Sequence, residues 1–447
     1  MPRRKRPHVP KVKGCYECSQ RRINCDRTEP QCTKCTSKGI VCSGFGVRYR
    51  FREEVSTRGS IRRRGDRTDG LYSKFSAQSQ DTQHVSCATS STTPADPDSY
   101  LTLLDTHTGL TDHYPTDALA AIETAYVFPL MDGLDLVAPR SEYLLTYFSN
   151  YIAPQMVVMD DSYNGWRCFI LPFACADEMV MDAVSAVSAF HICEKGGRQR
   201  DHRPDRLYAK VISGLQSRSL FRDCDLQTRH SIFLAIIVLL VGVMVNGSSD
   251  FPILFYMLQS ALEAVGGEAG LGDGELTRFL MRQIRKMRVY AAPLLSQKAG
   301  VQTILSSAQK SFDCLYFNSG LHPDHLSTFD LIVGLRQQAY DIYLQRAMLG
   351  RRSQRHVERI GRFIDTLQSL PDDAPGQHTL VWPSFIAASE SCTPEHQLFF
   401  KQFLENQYRL NGFSNILKAI ALLERIWTAD DGDTWPALLP ESRLFVM

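Results

Sequence analysis

The sequence lacks the long apolar segments that direct a chain into or across a membrane. Its first residues, MPRRKRPHVPKVKG, are charged and no apolar stretch follows them, so we expect no secretory signal. The longest apolar run, residues 233–245, is shorter than the roughly 20 residues that span a bilayer. We therefore expect a buried helix there, no membrane partner, and a reducing compartment for the cysteines.

Motifs of catalysis are also lacking. The sequence contains no phosphate-binding loop, no G-x-S-x-G turn and no H-E-x-x-H pair. The glycine-rich stretch AVGGEAGLGDGE follows a helical pattern instead of a strand, which predicts a loop and not a nucleotide cradle. The cysteines beyond residue 42 show no C-x2-C spacing. These absences indicate a protein that is not an enzyme.

Positive charge is missing from one part of the chain and concentrated in another. Residues 1–64 contain 18 Lys and Arg against five Asp and Glu, a charge of +13. Since the net charge is +2, the other 383 of the 447 residues carry −11. Lys or Arg near phosphates releases condensed counterions, so the basic N-terminal segment favours a polyanionic partner. Nucleic acid is the first candidate.

Cysteines of this basic segment form two runs of C-x2-C-x6-C that are 17 residues apart. In a reducing compartment clustered thiols hold metal more often than they form disulfides, and a disulfide-bonded hairpin is the disfavoured alternative. Structural zinc takes four tetrahedral ligands, so six thiolates serve two ions only if two sulfurs bridge. The six predicted ligands are Cys15, Cys18, Cys25, Cys32, Cys35 and Cys42.

The near-symmetry of the two runs makes the first cysteine of each run, Cys15 and Cys32, the natural bridging pair. One zinc ion would then be bound by Cys15, Cys18, Cys25 and Cys32, and the other by Cys32, Cys35, Cys42 and Cys15. We expect two zinc ions per chain. A segment this short has almost no apolar core, so metal binding should supply most of its folding free energy.

The spacing of these six cysteines resembles that of the fungal six-cysteine binuclear zinc cluster transcription factors. Asp26 after the third cysteine and Pro30 two residues before the fourth also stand at positions typical of that family. The resemblance covers about 30 residues. It implies double-stranded DNA as partner, a CGG-type triplet as the sequence read, a nuclear location and a role in transcription by RNA polymerase II.

The two cysteine runs differ in the charges that they offer to DNA. The first run contains a basic pair, Arg21 and Arg22, whereas the corresponding residues of the second run are Lys38 and Gly39. Arginine can donate two hydrogen bonds to guanine O6 and N7 in the major groove, so the pair is predicted to read bases. The resemblance implies the same role, since family members place a basic pair here.

Three further basic residues, Arg27, Lys34 and Lys38, are predicted to contact phosphates, which position a protein on DNA without specifying sequence. Asn24 departs from the family, which usually has a basic residue before the third cysteine. One phosphate contact of the family is therefore in doubt here. The alternative, that these charges only solvate a small surface, is disfavoured because the basic pair coincides with a metal scaffold.

Residues 46–115 have the composition of a disordered linker, with few apolar residues and stretches such as SSTTPADPDS. No heptad pattern follows the cysteines, which favours either a monomer on DNA or a homodimer formed through the C-terminal domain. Residues 75–139 contain nine acidic residues, no Lys or Arg, and interspersed leucines. This pattern fits an activation segment that binds coactivators or corepressors, and it fits a plain solvated linker equally well.

The remainder of the chain has helical periodicity. Residues 141–157, 176–195 and 255–265 place apolar residues at i, i+3, i+4 and i+7, which predicts an all-α domain. The region also resembles the fungal-specific transcription factor domain, and its alanines are interpreted as sites of close helix packing. The motif residues are Tyr147, Asp160, Asn164, Arg167, Leu171, Pro172, Ala174, Ala183, Ala186, Ala189 and His191.

The sequence thus predicts a small zinc-stabilised N-terminal module with two short helices, a disordered linker and a large all-α C-terminal domain. The predicted limits are 1–14 for a basic tail, 15–45 for the zinc cluster, 46–115 for the linker and 116–447 for the helical domain. The predicted function is sequence-specific transcription regulation. A zinc-dependent protein-interaction module with nonspecific nucleic-acid binding is the alternative.

Overall fold

The structure has two parts, a small cysteine-rich segment and a large helical region. The computed structural model describes residues 15, 18, 21, 23–28, 32–40, 139–196, 203–218, 224–350, 355–371, 373–429 and 434–447. No strand occurs in these ranges, and the predicted fold class is confirmed for both parts. The predicted linker, residues 46–115, lies outside the described residues.

One short helix, α1, belongs to the cysteine-rich segment, and the other helices form the helical region. The described helices are α1 Thr33–Thr36, α2 Pro139–Tyr147, α3 Leu171–Ala176, α4 Glu178–Glu194, α5 Pro204–Ser217, α6 Leu226–Asn246, α7 Phe251–Ala264, α8 Glu275–Leu295, α9 Gln297–Ser307, α10 Asp313–Leu321, α11 Leu326–Leu349, α12 His356–Gln368, α13 Val381–Glu390, α14 Pro394–Asn411, α15 Ser414–Thr428 and α16 Trp435–Leu438.

Helix α6 is the centre of the helical region. Residues 230–245 are all buried, so this helix has no solvent-facing side in its last four turns. Within the described ranges it is also the one helix long and apolar enough to cross a membrane, but 83% of its most apolar stretch is buried inside the fold. A helix that is apolar on every side belongs to the core of a large domain. The buried helix predicted at 233–245 is confirmed.

Small residues allow α4 to lie close against α6. Ala183, Ala186 and Ala189 of α4 are fully buried. On the α6 side, a Cβ atom added to Gly242 would come within 3.2 Å of a methyl carbon of Val187. Such a contact is at the lower limit of normal packing, so a larger residue at Gly242 would force the two helices apart.

The carboxylate of Asp177 joins three helices. It accepts hydrogen bonds from the backbone N–H groups of Met179 and Val180, both at 3.0 Å, and so caps the first turn of α4. Its second oxygen accepts from the Ser231 hydroxyl of α6 at 2.8 Å and pairs with Arg218 at the end of α5 at 3.3 Å. The start of α4 is therefore fixed against both neighbouring helices.

The burial of α6 predicts a large difference between two leucine-to-alanine substitutions. Leu239→Ala removes a fully buried side chain and should lower the free energy of unfolding by about 2–5 kcal/mol, because the close-packed surroundings cannot collapse into the cavity. Leu305→Ala on α9, where the side chain is 61% exposed, is the matched control and should change it by about 0.5 kcal/mol or less. Denaturant unfolding of the full chain measures both values. Equal losses would contradict the central position of α6.

Candidate metal centre and nucleic-acid interface

Four cysteine sulfurs meet in the interior of the cysteine-rich segment. The Sγ of Cys15 lies 3.6 Å from that of Cys32 and 3.7 Å from that of Cys35, and Cys18 lies 3.6 and 4.0 Å from the same two sulfurs. Four thiolates at Zn–S distances of 2.3 Å have sulfurs roughly 3.8 Å apart in a tetrahedron. The observed separations fit ligands of a shared metal centre.

These four cysteines are the buried core of the segment. Their side chains are fully buried, and among the described residues Cys25 and Ile40 pack against them as partly buried neighbours. Burial raises the pKa of the Cys15, Cys32 and Cys35 thiols, so a neighbouring cation is needed to favour the thiolate form. Structural zinc binds such a set of four thiol sulfurs, and its binding can supply the folding free energy of a small module that has no apolar core.

Cys25 approaches the same centre from the end of the first run. Its sulfur accepts the N–H of Cys15 at 3.5 Å, and the ligand atoms of Cys25, Asp26 and Cys32 lie within 4.8 Å of one another. Burial acts to raise the pKa of the Cys25 thiol, but the N–H donors of Cys15 and Arg27 outweigh it and lower the pKa to about 7. Cys32 thus belongs to both groups of sulfurs.

The two cysteine runs repeat one backbone hydrogen bond. In the first run the N–H of Ile23 donates to the carbonyl of Cys18 at 3.0 Å. In the second run the N–H of Ile40 donates to the carbonyl of Cys35, also at 3.0 Å and 17 residues later in the chain. The sequence repeat is therefore also a structural repeat in the residues that can be compared.

Asp26 fastens the first run to the second. Its carboxylate accepts the backbone N–H groups of Thr33 at 2.9 Å and Lys34 at 3.4 Å, which are the first two residues of α1, and it also accepts the hydroxyls of Thr28 and Thr33. Together these hydrogen bonds hold the pKa of Asp26 well below its usual range, and the bonds from Thr28 and Thr33 contribute most. From the sequence, Asp26 is notable only for its family-typical position, and its capping role emerges from the structure.

The described basic residues of the segment are all exposed, and two of them connect the runs. The Lys34 ammonium donates to the Asn24 carbonyl at 2.6 Å, and the Arg21 guanidinium donates to the Lys34 carbonyl at 3.3 Å. Arg27 has a left-handed backbone with φ 59°, and Lys38 follows α1. Arg22 and Cys42, for which the sequence predicts base reading and zinc ligation, lie outside the described residues.

Two protein families match the chain over separate ranges. Residues 13–50 match the fungal Zn(2)-Cys(6) binuclear cluster domain. Residues 143–284 and 303–446, more than half of the chain, match the fungal specific transcription factor domain. The chain belongs to this fungal transcription factor family. Its N-terminal residues match a zinc cluster domain, and both matched families are domains of fungal transcription factors.

One curated relative supports the same assignment over a short stretch. The acriflavine sensitivity control protein acr-2 of Neurospora crassa is 40% identical to the chain over 53 residues. The match covers 11% of this chain and 9% of that protein, so the chain spans a small fraction of the length of this relative. No solved structure matches the chain.

The predicted motif of the fungal specific transcription factor domain forms a polar network before α3. Arg167 pairs with both carboxylate oxygens of Asp160 at 2.5 and 2.8 Å, and its Nε donates to the Ser149 carbonyl at 3.0 Å. The Asn164 amide donates to Asp160 at 2.9 Å and to the Ala153 carbonyl at 3.0 Å. These bonds fold residues 149–167 of the domain back on themselves, so the motif has a structural role.

His191 of the motif is a buried connection between distant parts of the domain. Its Nε2 lies 2.6 Å from the Asn411 carbonyl at the end of α14, and its Nδ1 lies 3.1 Å from the Tyr147 hydroxyl. A carbonyl can only accept, so Nε2 carries the proton and Nδ1 accepts from Tyr147. Burial lowers the pKa of His191, which keeps the ring neutral in this arrangement. The His191 side chain is fully buried.

The contacts of Asp26 predict a loss of zinc affinity when its carboxylate is removed. Asp26→Ala leaves the first N–H groups of α1 without their acceptor and should weaken zinc binding about tenfold or more, as loss of a group supporting metal ligands typically does. Ser37→Ala, also exposed and at the other end of α1, is the control and should leave affinity unchanged. Competition with a chromogenic zinc chelator measures both variants. Similar affinities for the two would show that Asp26 does not support the cluster.

Proposed function

We propose that the chain binds a CGG-like triplet in double-stranded DNA and so acts as a sequence-specific regulator of transcription by RNA polymerase II. The observation that carries this proposal is the asymmetry of the cysteine repeat. Two similar halves surround one centre of sulfurs, but only the first half contains an adjacent arginine pair. In this proposal residues 15–45 form the DNA-binding domain, residues 46–115 the linker and residues 116–447 the regulatory domain.

Two zinc ions are proposed to hold this DNA-binding domain together. Cys15 and Cys32 would bridge the ions, with Cys18 and Cys25 completing one site and Cys35 and Cys42 the other. The 3.6 Å separation of the Cys15 and Cys32 sulfurs and the membership of Cys32 in both sulfur groups support this assignment. Zinc supplies no redox chemistry here, and its role would be to fix the two runs relative to each other.

Arg22 is proposed as the principal residue that reads bases. Arg21 of the same pair donates to the Lys34 carbonyl, which supports a second role for it in joining the two runs. Lys34, bonded to the Asn24 carbonyl, could contact a phosphate with its remaining donors, because an ammonium group has three. Arg27 and Lys38 are exposed and remain proposed phosphate contacts.

Partners other than DNA are proposed on sequence grounds. The acidic, leucine-containing segment 75–139 would recruit coactivators or corepressors, and a homodimer would form through the helical domain if the protein is not a monomer on DNA. The competing function is a zinc-dependent protein-interaction module that binds nucleic acid nonspecifically. Selection of bound sequences from random DNA separates the two, because only base reading enriches a triplet.

The bridging assignment predicts the zinc content of the full chain and of its cysteine variants. The purified protein should contain two zinc ions, and Cys15→Ser or Cys32→Ser should lose more metal than Cys42→Ser because a bridging sulfur serves both ions. Cys168→Ser, outside the cysteine runs, is the matched control and should retain both ions. Elemental analysis measures the content. One zinc per wild-type chain would refute the binuclear assignment.

The two classes of DNA contact predict different effects of two alanine substitutions. Arg22→Ala should cost about 1–3 kcal/mol on the selected site and much less on random DNA, because a bidentate guanine contact is lost. Lys38→Ala should weaken both DNAs about equally and lower the salt dependence of binding by about one unit of slope. Fluorescence anisotropy titrations at several salt concentrations measure both. The reverse pattern would assign base reading to the second cysteine run, provided that both variants keep their zinc.

A further inference from the structure

Two cationic side chains are buried together between helices α8, α10 and α11. Lys286 of α8 is 8% exposed and Arg336 of α11 is 2% exposed. Throughout the described ranges, no carboxylate lies within ion-pair distance of either cation. The helical region pairs other such residues, since buried Arg346 lies 3.8 Å from Glu390 and Arg285 pairs with both Glu268 and Asp313. The missing counter-charge is therefore particular to this cluster.

Neutral groups around Arg336 satisfy its guanidinium only partly. Its Nη1 donates to the Cys314 sulfur of α10 at a long 3.9 Å, and its Cζ lies 5.7 Å from the centre of the Tyr290 ring. Its Nε is buried without a hydrogen-bond partner. A guanidinium has five N–H donors and is the side chain best suited to carboxylate or phosphate oxygens, so several donors are available here.

Helix α8 presents further polar atoms on the same face as Lys286. Gln283 and Tyr290 stand three residues before and four residues after Lys286, which places all three side chains on one side of the helix. The Gln283 Oε1 atom is buried without a partner. Burial raises the pKa of Tyr290 to about 12, so its hydroxyl stays neutral and able to donate. The face thus combines a cation with neutral polar groups.

Burying two like charges without an anion is unfavourable, and proteins normally pair such groups or bind an ion between them. Burial lowers the pKa of Lys286, and this effect outweighs the opposing influence of the nearby Cys314, while Arg336 also acts to lower the pKa. Lys286 retains a small solvent-exposed fraction of 8%. An incoming anion would supply the charge that the polypeptide does not.

We propose that Lys286 and Arg336 form a binding site for a small anion with carboxylate or phosphate groups inside the helical region. Carboxylates and phosphates both carry anionic oxygens, which are the groups that the two cations would recognise. Arg336 would bind oxygens through its guanidinium edge, and Lys286 would contribute a second charge from the facing helix. The site is independent of the cysteine-rich segment and of DNA binding.

The test is thermal unfolding of the zinc-loaded full chain, followed by tryptophan fluorescence in phosphate, succinate or chloride at equal ionic strength. All four tryptophans, Trp166, Trp382, Trp427 and Trp435, lie in the helical region, so the signal reports on that part of the chain. Trp382 stacks on Tyr290 with ring centres 4.6 Å apart, directly beside the cluster. The wild-type midpoint should rise by about 5 °C at saturating phosphate or succinate relative to chloride.

Lys286→Met should abolish this anion-dependent rise without lowering the midpoint in chloride, because the variant removes an unpaired buried charge and keeps the side-chain volume. Lys298→Met, an exposed lysine on the neighbouring helix α9, is the matched control and should keep the full rise. Arg336→Met should also abolish the rise, which keeps the test decisive if one variant folds poorly.

Two results would overturn the proposal. The first is an absence of any rise with phosphate and succinate in the wild type, which would show that the two cations bind neither anion. The second is an equal rise in Lys286→Met and Lys298→Met, which would assign the anion effect to sites elsewhere on the protein.

Discussion

The all-round apolar surface of helix α6 is the constraint on which the helical region depends. A helix with no polar side must be enclosed on every side, so α4, α7, α8 and α15 all pack against it. Asp225 caps its first turn through the Thr228 N–H, and Gly247 ends it in a left-handed conformation with φ 62°. Its ends are thus fixed by an acidic cap and a left-handed glycine, while residues 232–245 contribute only apolar surface. The neighbouring α4 accordingly carries alanines where a closer approach is needed.

The cysteine-rich segment is stabilised by metal ligation instead of apolar burial. It is too short to bury a useful apolar area, and its fully buried described side chains are those of four cysteines. Zinc replaces the hydrophobic core, and Asp26 adds a link that runs from the third cysteine to the first turn of α1. The charged residues can then remain on the outside, where Arg21, Arg27, Lys34 and Lys38 are exposed.

The polar groups buried in the helical region fall into two kinds. Groups of the first kind have a partner within the chain, as in the ion pair of Asp160 with Arg167 or the hydrogen bond of neutral His191 to Asn411, and they fix distant segments together. Lys286 and Arg336 are of the second kind, because the described residues provide no carboxylate for them.

The sequence by itself determined the parts of this protein that depend on local spacing. Six cysteines in a repeat specify a metal cluster because ligand number and spacing are read along the chain, and the apolar run at 233–245 specifies a buried helix because its composition leaves no polar side. Only the tertiary structure decided which groups meet across long separations. The Asp26 link to α1, the contact of the His191 ring with the Asn411 carbonyl and the burial of Lys286 near Arg336 bring together residues up to 220 positions apart. No local pattern encodes such contacts. A lysine on α8 occupies the same position in the helical pattern whether it faces solvent or the interior. Only the packing of neighbouring helices excludes water from it.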